Sequence, residues 1–195
     1  MISAIILAAG QSKRMGQPKM SLPWGKSTVI ENVIRTFLDA GIEDVIVVTG
    51  GAREQVEQVL QPYPVRKIHN ENYTTGEMLS SIQCGLRAMA DPTQAALIGL
   101  GDQPQVQVES VRLICQAHRE NEARLIVPSF QMRRGHPWLV ARSLWHEILT
   151  LRPSESPRDF LTRHANEIHY VNVHTPTVLA DLDTPEDYEN SRPKE

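Results

Sequence analysis

Short apolar runs alternate along the chain with segments whose apolar residues recur every three or four positions. An unbroken apolar run is typical of a strand buried on both faces, whereas the longer period indicates a helix with one face on the core. Strands are predicted at residues 2–8, 44–49, 65–69, 95–100, 125–128 and 168–173. Helices are predicted between Thr28 and Gly41, at about 54–60, 76–89 and 108–120, and from Ser156 and Thr184 onward.

Local signals mark where several of these helices begin. Thr28 and Glu31 have the spacing of a capping box, in which each side chain bonds the other residue's backbone N–H. Ser156 and Thr184 are each followed by proline, a typical first helical residue. Residues 9–26 are rich in glycine and proline and predict a long ordered loop, not a helix. Residues 129–140 break the rhythm and predict an irregular hairpin or substrate loop.

The alternation of strands and helices predicts an α/β fold: a doubly wound, mainly parallel sheet with helices on both faces, Rossmann-like in type. Without repeats or linkers, a single domain over residues 1–195 is the simplest organisation. Such sheets bind ligands at the carboxyl ends of their strands. We therefore expect the loops after Ala8, Leu100 and Pro128 to meet at one edge.

The composition excludes several classes of protein. With 41% hydrophobic and 22% charged residues, the chain is not a mainly disordered protein. A formal net charge of −3 argues against a surface for polymeric nucleic acid. No stretch is long and apolar enough to span a bilayer, and the first residues lack the charge order of a secretion signal, so a cytoplasmic location is expected. Cys84 and Cys115 predict buried, reduced thiols.

The distribution of charge is uneven. Residues 1–26 and 123–146 contain basic but no acidic residues, whereas acidic residues cluster at 181–189. Two cationic segments and a separate group of carboxylates suit a small polyanion bound with a metal ion. A solvated charge pattern without functional meaning is an equal alternative at this level.

A glycine-rich, basic loop follows the first predicted strand. It is not a Walker loop, because five residues separate Gly10 from Gly16 and glutamine follows the second glycine, and no GxGxxG fingerprint is present. Glycines still allow the backbone amides to approach phosphate oxygens. Arg14 offers a planar fork for terminal phosphates, and Lys19 a point charge for an inner phosphate.

The segment Leu7-Ala8-Ala9-Gly10-Gln11-Ser12-Lys13-Arg14-Met15-Gly16-Gln17-Pro18-Lys19 resembles the LAAGxSxRMGxxK signature of the MobA-like nucleotidyltransferases. Within that family it is most similar to the molybdenum cofactor cytidylyltransferases. The guanylyltransferase branch typically has LAGG and an acidic residue before the lysine, where Pro18 stands here. The resemblance implies that Leu7, Ala8, Ala9, Gly10, Ser12, Arg14 and Lys19 bind a nucleoside triphosphate.

Two acidic segments fit the same family. Gly101-Asp102-Gln103-Pro104 resembles the GDxP motif, whose aspartate binds the catalytic Mg²⁺, a cation that requires hard oxygen ligands. Residues 181–187 resemble D-I-D-T-P-E-D, which implies Asp183 as the second metal ligand. Asp183 has a second interpretation as the cap of the helix that begins near Thr184. Asp102 could likewise be an ordinary exposed loop aspartate.

Two further segments complete the resemblance. Residues 75–82 resemble the GM-x-S-S segment beside the nucleotide, so Ser80 or Ser81 would hydrogen-bond the base or ribose. Glu77 departs from that pattern, and Met78 and Leu79 are predicted to be core. The acceptor site is implied by Arg134-Gly135-His136-Pro137, which resembles RGHP. The three tryptophans, Trp24, Trp138 and Trp145, predict packing.

The resemblance implies an enzyme that transfers a nucleoside monophosphate, with Arg14, Lys19 and Asp102 as catalytic residues and Mg²⁺ as cofactor. CMP from CTP would pass to a phosphorylated acceptor, molybdopterin or the molybdenum cofactor, and a molybdenum enzyme would be a client. Three alternatives stay open: a nucleotidyltransferase for a sugar phosphate or another phosphorylated alcohol, a non-catalytic nucleotide-binding chaperone of molybdenum enzymes, and a Rossmann-type oxidoreductase.

Overall fold

A computed structural model describes residues 1–194 and resolves ten strands and seven α-helices within that range. The strands are β1 (Ile2–Ala8), β2 (Pro23–Trp24), β3 (Ser27–Thr28), β4 (Val45–Thr49), β5 (Arg66–His69), β6 (Ala95–Leu100), β7 (Leu125–Phe130), β8 (Arg133–Arg134), β9 (Trp138–Ala141) and β10 (Ile168–Asn172). The helices are α1 (Val29–Asp39), α2 (Arg53–Val59), α3 (Glu77–Arg87), α4 (Val108–Asn121), α5 (Trp145–Thr150), α6 (Pro157–Arg163) and α7 (Pro185–Ser191).

The main sheet has the strand order β10-β7-β9-β6-β1-β4-β5, with β8 paired to the end of β7. All of its pairs are parallel except those made by β8 and β9. The prediction of a doubly wound, mainly parallel sheet is therefore confirmed. Since β1, β4, β6 and β7 run in the same direction, their carboxyl ends lie along one edge, as expected.

The prediction for residues 129–140 was wrong in part, because the segment leads into a strand of the sheet. Strand β9 is fully buried and lies antiparallel between β6 and β7. Its sequence, Trp-Leu-Val-Ala, is as apolar as the other buried strands. The polar run at residues 133–136 just before β9 hides this apolar strand pattern in the sequence. The expected hairpin is present, because β8 pairs antiparallel with β7. Helix α5 was also missed.

The core consists of two apolar layers, one on each face of the sheet. Alternate residues of β1 divide between them: Ile6 belongs to the layer covered by α1, α2 and α4, and Ile5 to the layer covered by α3, α5 and α6. This division explains why the strand is apolar throughout. Within residues 1–194 no helix combines the length and the apolar character needed to cross a membrane.

Three helices begin with capping boxes at the predicted helix starts, although the sequence pattern indicated the box itself only at Thr28. In α1, α6 and α7, the N-cap residues Thr28, Ser156 and Thr184 each accept from the backbone three residues later. All three tryptophans are buried, as predicted, and both cysteines are free. Cys115 is buried, whereas Cys84 is only half-buried.

Candidate nucleotide-binding site

The carboxyl ends of β1 and β6 form the base of the site. The two strands are parallel neighbours, and Gly101 donates its backbone N–H to the carbonyl of Leu7 at 3.0 Å. Asp102 follows directly, and its carbonyl accepts from the backbone N–H of Leu182 at 3.2 Å. Leu182 lies 80 residues after Asp102 in the sequence, so this hydrogen bond brings the acidic segment near the C-terminus against the base of the site.

Lys19 is the most buried cation of the site, with only 9% of its surface exposed. Its Nζ donates to a carboxylate oxygen of Asp102 and, at 3.1 Å, to the carbonyl of Leu182. A carboxylate oxygen of Asp183 lies 3.6 Å from the same nitrogen. A buried ammonium requires such partners, because an unpaired charge in this environment is strongly destabilising.

Asp183 does not cap helix α7. Thr184 is the N-cap residue, and Asp187 completes the box by accepting from the Thr184 backbone at 2.8 Å. The Asp183 carboxylate instead lies 3.0 Å from a guanidinium nitrogen of Arg14, whose side chain is 69% exposed. The cap interpretation of Asp183 was therefore wrong, and its carboxylate faces the basic loop.

The glycine-rich loop is shaped by its own hydrogen bonds. Ser12 and Gly16 have positive φ angles of 51° and 71°, which is an easy conformation only for the glycine. The carbonyl of Ser12 accepts from the backbone N–H groups of Met15 and Gly16, and its hydroxyl accepts from that of Lys19 at 3.2 Å. Ser12 therefore closes the loop and sets the position of Lys19.

A pocket of about 240 Å³ opens beside these residues. It is lined by Leu7, Ala9, Gly10, Lys19, Met20, Tyr73, Glu77, Met78, Ser81, Leu100 and Asp102. Met78 is 38% exposed there, so its prediction as a core residue was wrong, whereas Leu79 is buried as predicted. Met78 and Leu79 are consecutive residues of α3 and therefore point in different directions, so one can line the pocket while the other packs in the core. Glu77, the residue before them, takes a positive φ of 46°.

Asn70 organises the serine pair and was missed in the sequence. It is 3% exposed, and its side-chain amide donates to the hydroxyls of Ser80 at 2.8 Å and Ser81 at 3.0 Å. Of the two serines only Ser81 lines the pocket. Tyr73, on the turn between Asn70 and α3, was missed as well. The only sequence signal was the position of Asn70 directly after β5, because ligand-binding residues are expected at the carboxyl ends of strands.

Two carboxylates are arranged so that they could share a cation. Asp102 and Asp183 both approach the Lys19 ammonium and therefore face one point. Burial, reinforced by the charge of Asp102, raises the pKa of nearby Asp181, whose carboxylate accepts from Gln103 at 2.7 Å. Across residues 1–194, no cluster of three or more His, Cys, Asp or Glu side chains is close enough to hold a metal. A divalent cation here would need water or phosphate oxygens to complete its shell.

The RGHP segment lines a second pocket, of about 430 Å³, next to the first. Arg134, Gly135 and His136 line it, together with Gln103 and Asp181. Gln103 follows Asp102 directly, and Asp181 lies two residues before Asp183, so the segments that carry the two carboxylates also form a wall of this pocket. Pro137 is buried behind the loop.

Comparisons with known proteins agree with this geometry. A family model described as the MobA-like NTP transferase domain matches residues 4–168. The chain is 29% identical over 188 residues to the molybdenum cofactor cytidylyltransferase of Escherichia coli (strain K12), covering 96% of this chain and 93% of that one. It is 28% identical to the nicotine blue oxidoreductase of Paenarthrobacter nicotinovorans over 95% of this chain and 93% of the relative. A solved nucleotidyl transferase from Methanothermobacter has a TM-score of 0.84 and 26% identity, covering 98% and 96% of the two chains.

Proposed function

Because the chain belongs to the MobA-like NTP transferase family and is a nucleotidyltransferase of that type, we propose that it transfers CMP from CTP to a phosphate of molybdopterin or the molybdenum cofactor, with release of pyrophosphate. The observation that carries the proposal is the cluster of Lys19, Asp102, Asp183 and Arg14 at the first pocket. The LAAG form of the loop and the Escherichia coli relative support cytidylyl transfer.

In this reaction a phosphate oxygen of the acceptor attacks the α-phosphorus of CTP, and the bond to pyrophosphate breaks. A phosphate monoester is already anionic near neutral pH, so the attack needs no general base. Catalysis then depends on alignment and on charge stabilisation. Lys19 would stabilise charge on the α-phosphoryl oxygens, and Arg14 with the amides of residues 10–12 would hold the departing pyrophosphate.

We assign the metal-binding role to Asp102 and Asp183. Both carboxylates face the same point and together supply two hard oxygen ligands, which suits Mg²⁺ with water and phosphates as its other ligands. Bound Mg²⁺ would neutralise charge on the triphosphate. Leu7, Ala8, Ala9, Gly10 and Ser12 would form the triphosphate cradle, and Ser81, with Ser80 behind it, would contact the ribose or base.

The acceptor would occupy the second pocket, against Arg134, Gly135 and His136, with Pro137 supporting the loop. This assignment is supported by the position of the pocket, whose wall at Gln103 follows Asp102 directly. An acceptor phosphate could therefore reach the nucleotide from that side. The similarity to known enzymes gives no support for a molybdenum-enzyme client.

A sugar phosphate or another phosphorylated alcohol is the alternative acceptor, because the basic loop alone does not select one. A non-catalytic chaperone is disfavoured by the presence of Lys19, Asp102 and Asp183 in one cluster. The similarity to a nicotine blue oxidoreductase makes an oxidoreductase worth testing, although the chain lacks the GxGxxG fingerprint of a dinucleotide site.

The proposal is tested by pyrophosphate release and by ligand-induced stabilisation. CTP, GTP, ATP, UTP and NADH should be compared by thermal shift with and without Mg²⁺, since a ligand that binds only the folded state raises Tm. We expect the largest shift with CTP and Mg²⁺, and pyrophosphate release that requires a phosphorylated pterin. Stabilisation by NADH with no pyrophosphate release from any triphosphate would reject transfer in favour of the oxidoreductase.

A further inference from the structure

The second pocket contains two buried polar atoms that lack partners. Gln103 is 3% exposed, and its side-chain oxygen Oε1 accepts no hydrogen bond within residues 1–194. The imidazole Nε2 of His136 is likewise buried and unpartnered in that range. Both residues line the pocket. Leaving such atoms unpaired costs stability, and a ligand that pairs with them recovers that cost.

The pocket walls are held rigidly in place. The backbone N–H of His136 donates to the carbonyl of Val178 at 3.0 Å, and the side-chain amide of Gln103 donates to the same carbonyl at 3.3 Å. A side chain at Gly135 would come within 2.4 Å of that oxygen, so the loop approaches as closely as glycine allows. The His136 ring stacks on Trp138 with 4.4 Å between ring centres. The unpartnered atoms are therefore fixed in position before any ligand binds.

Three arginines, Arg133, Arg134 and Arg158, and one carboxylate, Asp181, line the same cavity, so cationic side chains outnumber the acidic one. Arg158, in the first turn of α6, lines the pocket and makes no ion pair among residues 1–194. Arg134 donates from Nε to the Tyr170 hydroxyl at 2.8 Å and lies 5.6 Å from the centre of that ring. Burial, reinforced by the charge of Arg158, lowers the pKa of His136 to about 4, so its ring is neutral near neutral pH. A neutral imidazole can donate from Nε2 beside these arginines.

We propose that this pocket binds a second oxyanionic group of the acceptor, distinct from its reacting phosphate, with Arg158 and His136 as the donors that recognise it. Gln103 Oε1 would accept from an N–H or O–H on the body of the same molecule. The proposal rests on the proposed function, since it takes the pocket as the acceptor site. It adds Arg158 and Gln103 as specificity-determining residues and narrows the acceptor to a polar molecule with two separate anionic groups.

Inorganic phosphate is a suitable probe for the oxyanion site. In the full chain labelled with ¹⁵N-histidine, we expect phosphate to shift the imidazole resonances of His136 saturably. Arg158→Gln should weaken this response about tenfold or more, because a charge-assisted hydrogen bond is lost. The control Arg152→Gln removes an exposed arginine from the preceding turn, outside the pocket, and should titrate like the unaltered protein.

The variant Arg14→Gln tests whether the oxyanion site is independent of the triphosphate loop. The His136 response should survive that change, because Arg14 pairs with Asp183 and does not line the second pocket. If phosphate leaves the His136 resonances unmoved, or if Arg158→Gln and Arg152→Gln titrate alike, the oxyanion site is rejected.

Turnover gives an independent readout. In a pyrophosphate-release assay with a phosphorylated acceptor, Arg158→Gln should raise the KM for the acceptor about tenfold and leave the KM for the nucleotide unchanged. If no acceptor leads to pyrophosphate release but phosphate still shifts the His136 resonances, the proposed function is rejected and the anion site is retained. Normal turnover with an unresponsive His136 would reject the oxyanion site alone.

Discussion

At the scale of single residues, the site depends on one buried ammonium. Lys19 links Asp102 and Asp183, which belong to segments far apart in the chain, and the Ser12 hydroxyl holds its backbone. The geometry means that Lys19 balances two carboxylates when no other cation is present. A metal ion bound by these carboxylates would free the ammonium for phosphate oxygens.

Lys19→Ala should keep the fold but lower turnover about 100-fold or more, by analogy with the loss of one oxyanion-hole donor. The measurement is kcat from pyrophosphate release, with circular dichroism to verify folding. Lys26→Ala is the matched control, because Lys26 is exposed on the hairpin that follows the same loop. A Lys19→Ala protein with near-normal kcat would remove the catalytic assignment.

Asp102→Ala should abolish the Mg²⁺ dependence of nucleotide binding. In the unaltered protein we expect Mg²⁺ to tighten CTP binding about tenfold or more, since the metal joins the carboxylate to the phosphates. Isothermal titration with and without Mg²⁺ measures this difference. Asp91→Ala, at a fully exposed aspartate before β6, should retain it. Equal metal dependence in the two variants would mean that Asp102 is not a ligand.

At the scale of elements, capping boxes set the helix starts, and one of them also positions the site. Thr184 and Asp187 begin α7, so the preceding Asp183 is left to face Arg14. At the second pocket, the close approach of Gly135 to the carbonyl of Val178 similarly places His136. In the first case a local motif positions the functional side chain, and in the second a contact between distant segments does.

Thr184→Ala should destabilise the protein by about 1 kcal/mol, because an N-cap hydrogen bond is lost. For a chain of this size that corresponds to a decrease in Tm of roughly 2–4 °C. Thr150→Ala is the control, since that exposed hydroxyl bonds carbonyls within its own helix and caps nothing. If both variants melt at the same temperature, the cap contributes nothing measurable.

At the scale of the whole molecule, a chain of charges joins α5 and α6 to the edge of the sheet. Glu147 and Glu167 both accept from the ring of His164, at 2.7 Å and 2.9 Å. Arg163 and Arg124 pair with the same two glutamates. Burial acts to lower the pKa of His164, but the two glutamates outweigh it and raise the pKa.

Because the pKa of His164 is raised, its ion pairs with the two glutamates stabilise the protein more at low pH than at high pH. A histidine with a raised folded pKa stabilises the protein fully below its unfolded value of about 6.5, and the stabilisation is lost as pH rises through the folded value. His164→Gln should therefore destabilise the protein more at about pH 6 than at about pH 8.5. Urea denaturation at both pH values measures the difference. The exposed His146→Gln should show no such dependence, and a His164→Gln loss that is equal at both pH values would exclude the ionic contribution.

Much of the molecule was predictable from the sequence, because its signals are local. Apolar runs identified β1, β4 and β6, and capping residues identified the helix starts, since burial and backbone hydrogen bonding act over a few neighbouring residues. The glycine-rich loop was identifiable for the same reason. Strand β9 was not, because the polar residues of the RGHP segment stand directly before it.

The tertiary structure alone decided which of these residues meet. The partners of Asp183, the contribution of Asn70 and Tyr73 to the first pocket, and the approach of Arg158 to His136 all join segments that are distant in sequence. Such contacts follow from strand order and helix packing, which depend on the burial of the whole core. The sequence therefore determined the elements and the chemistry available at their ends, whereas the packing of the sheet determined which side chains share a pocket.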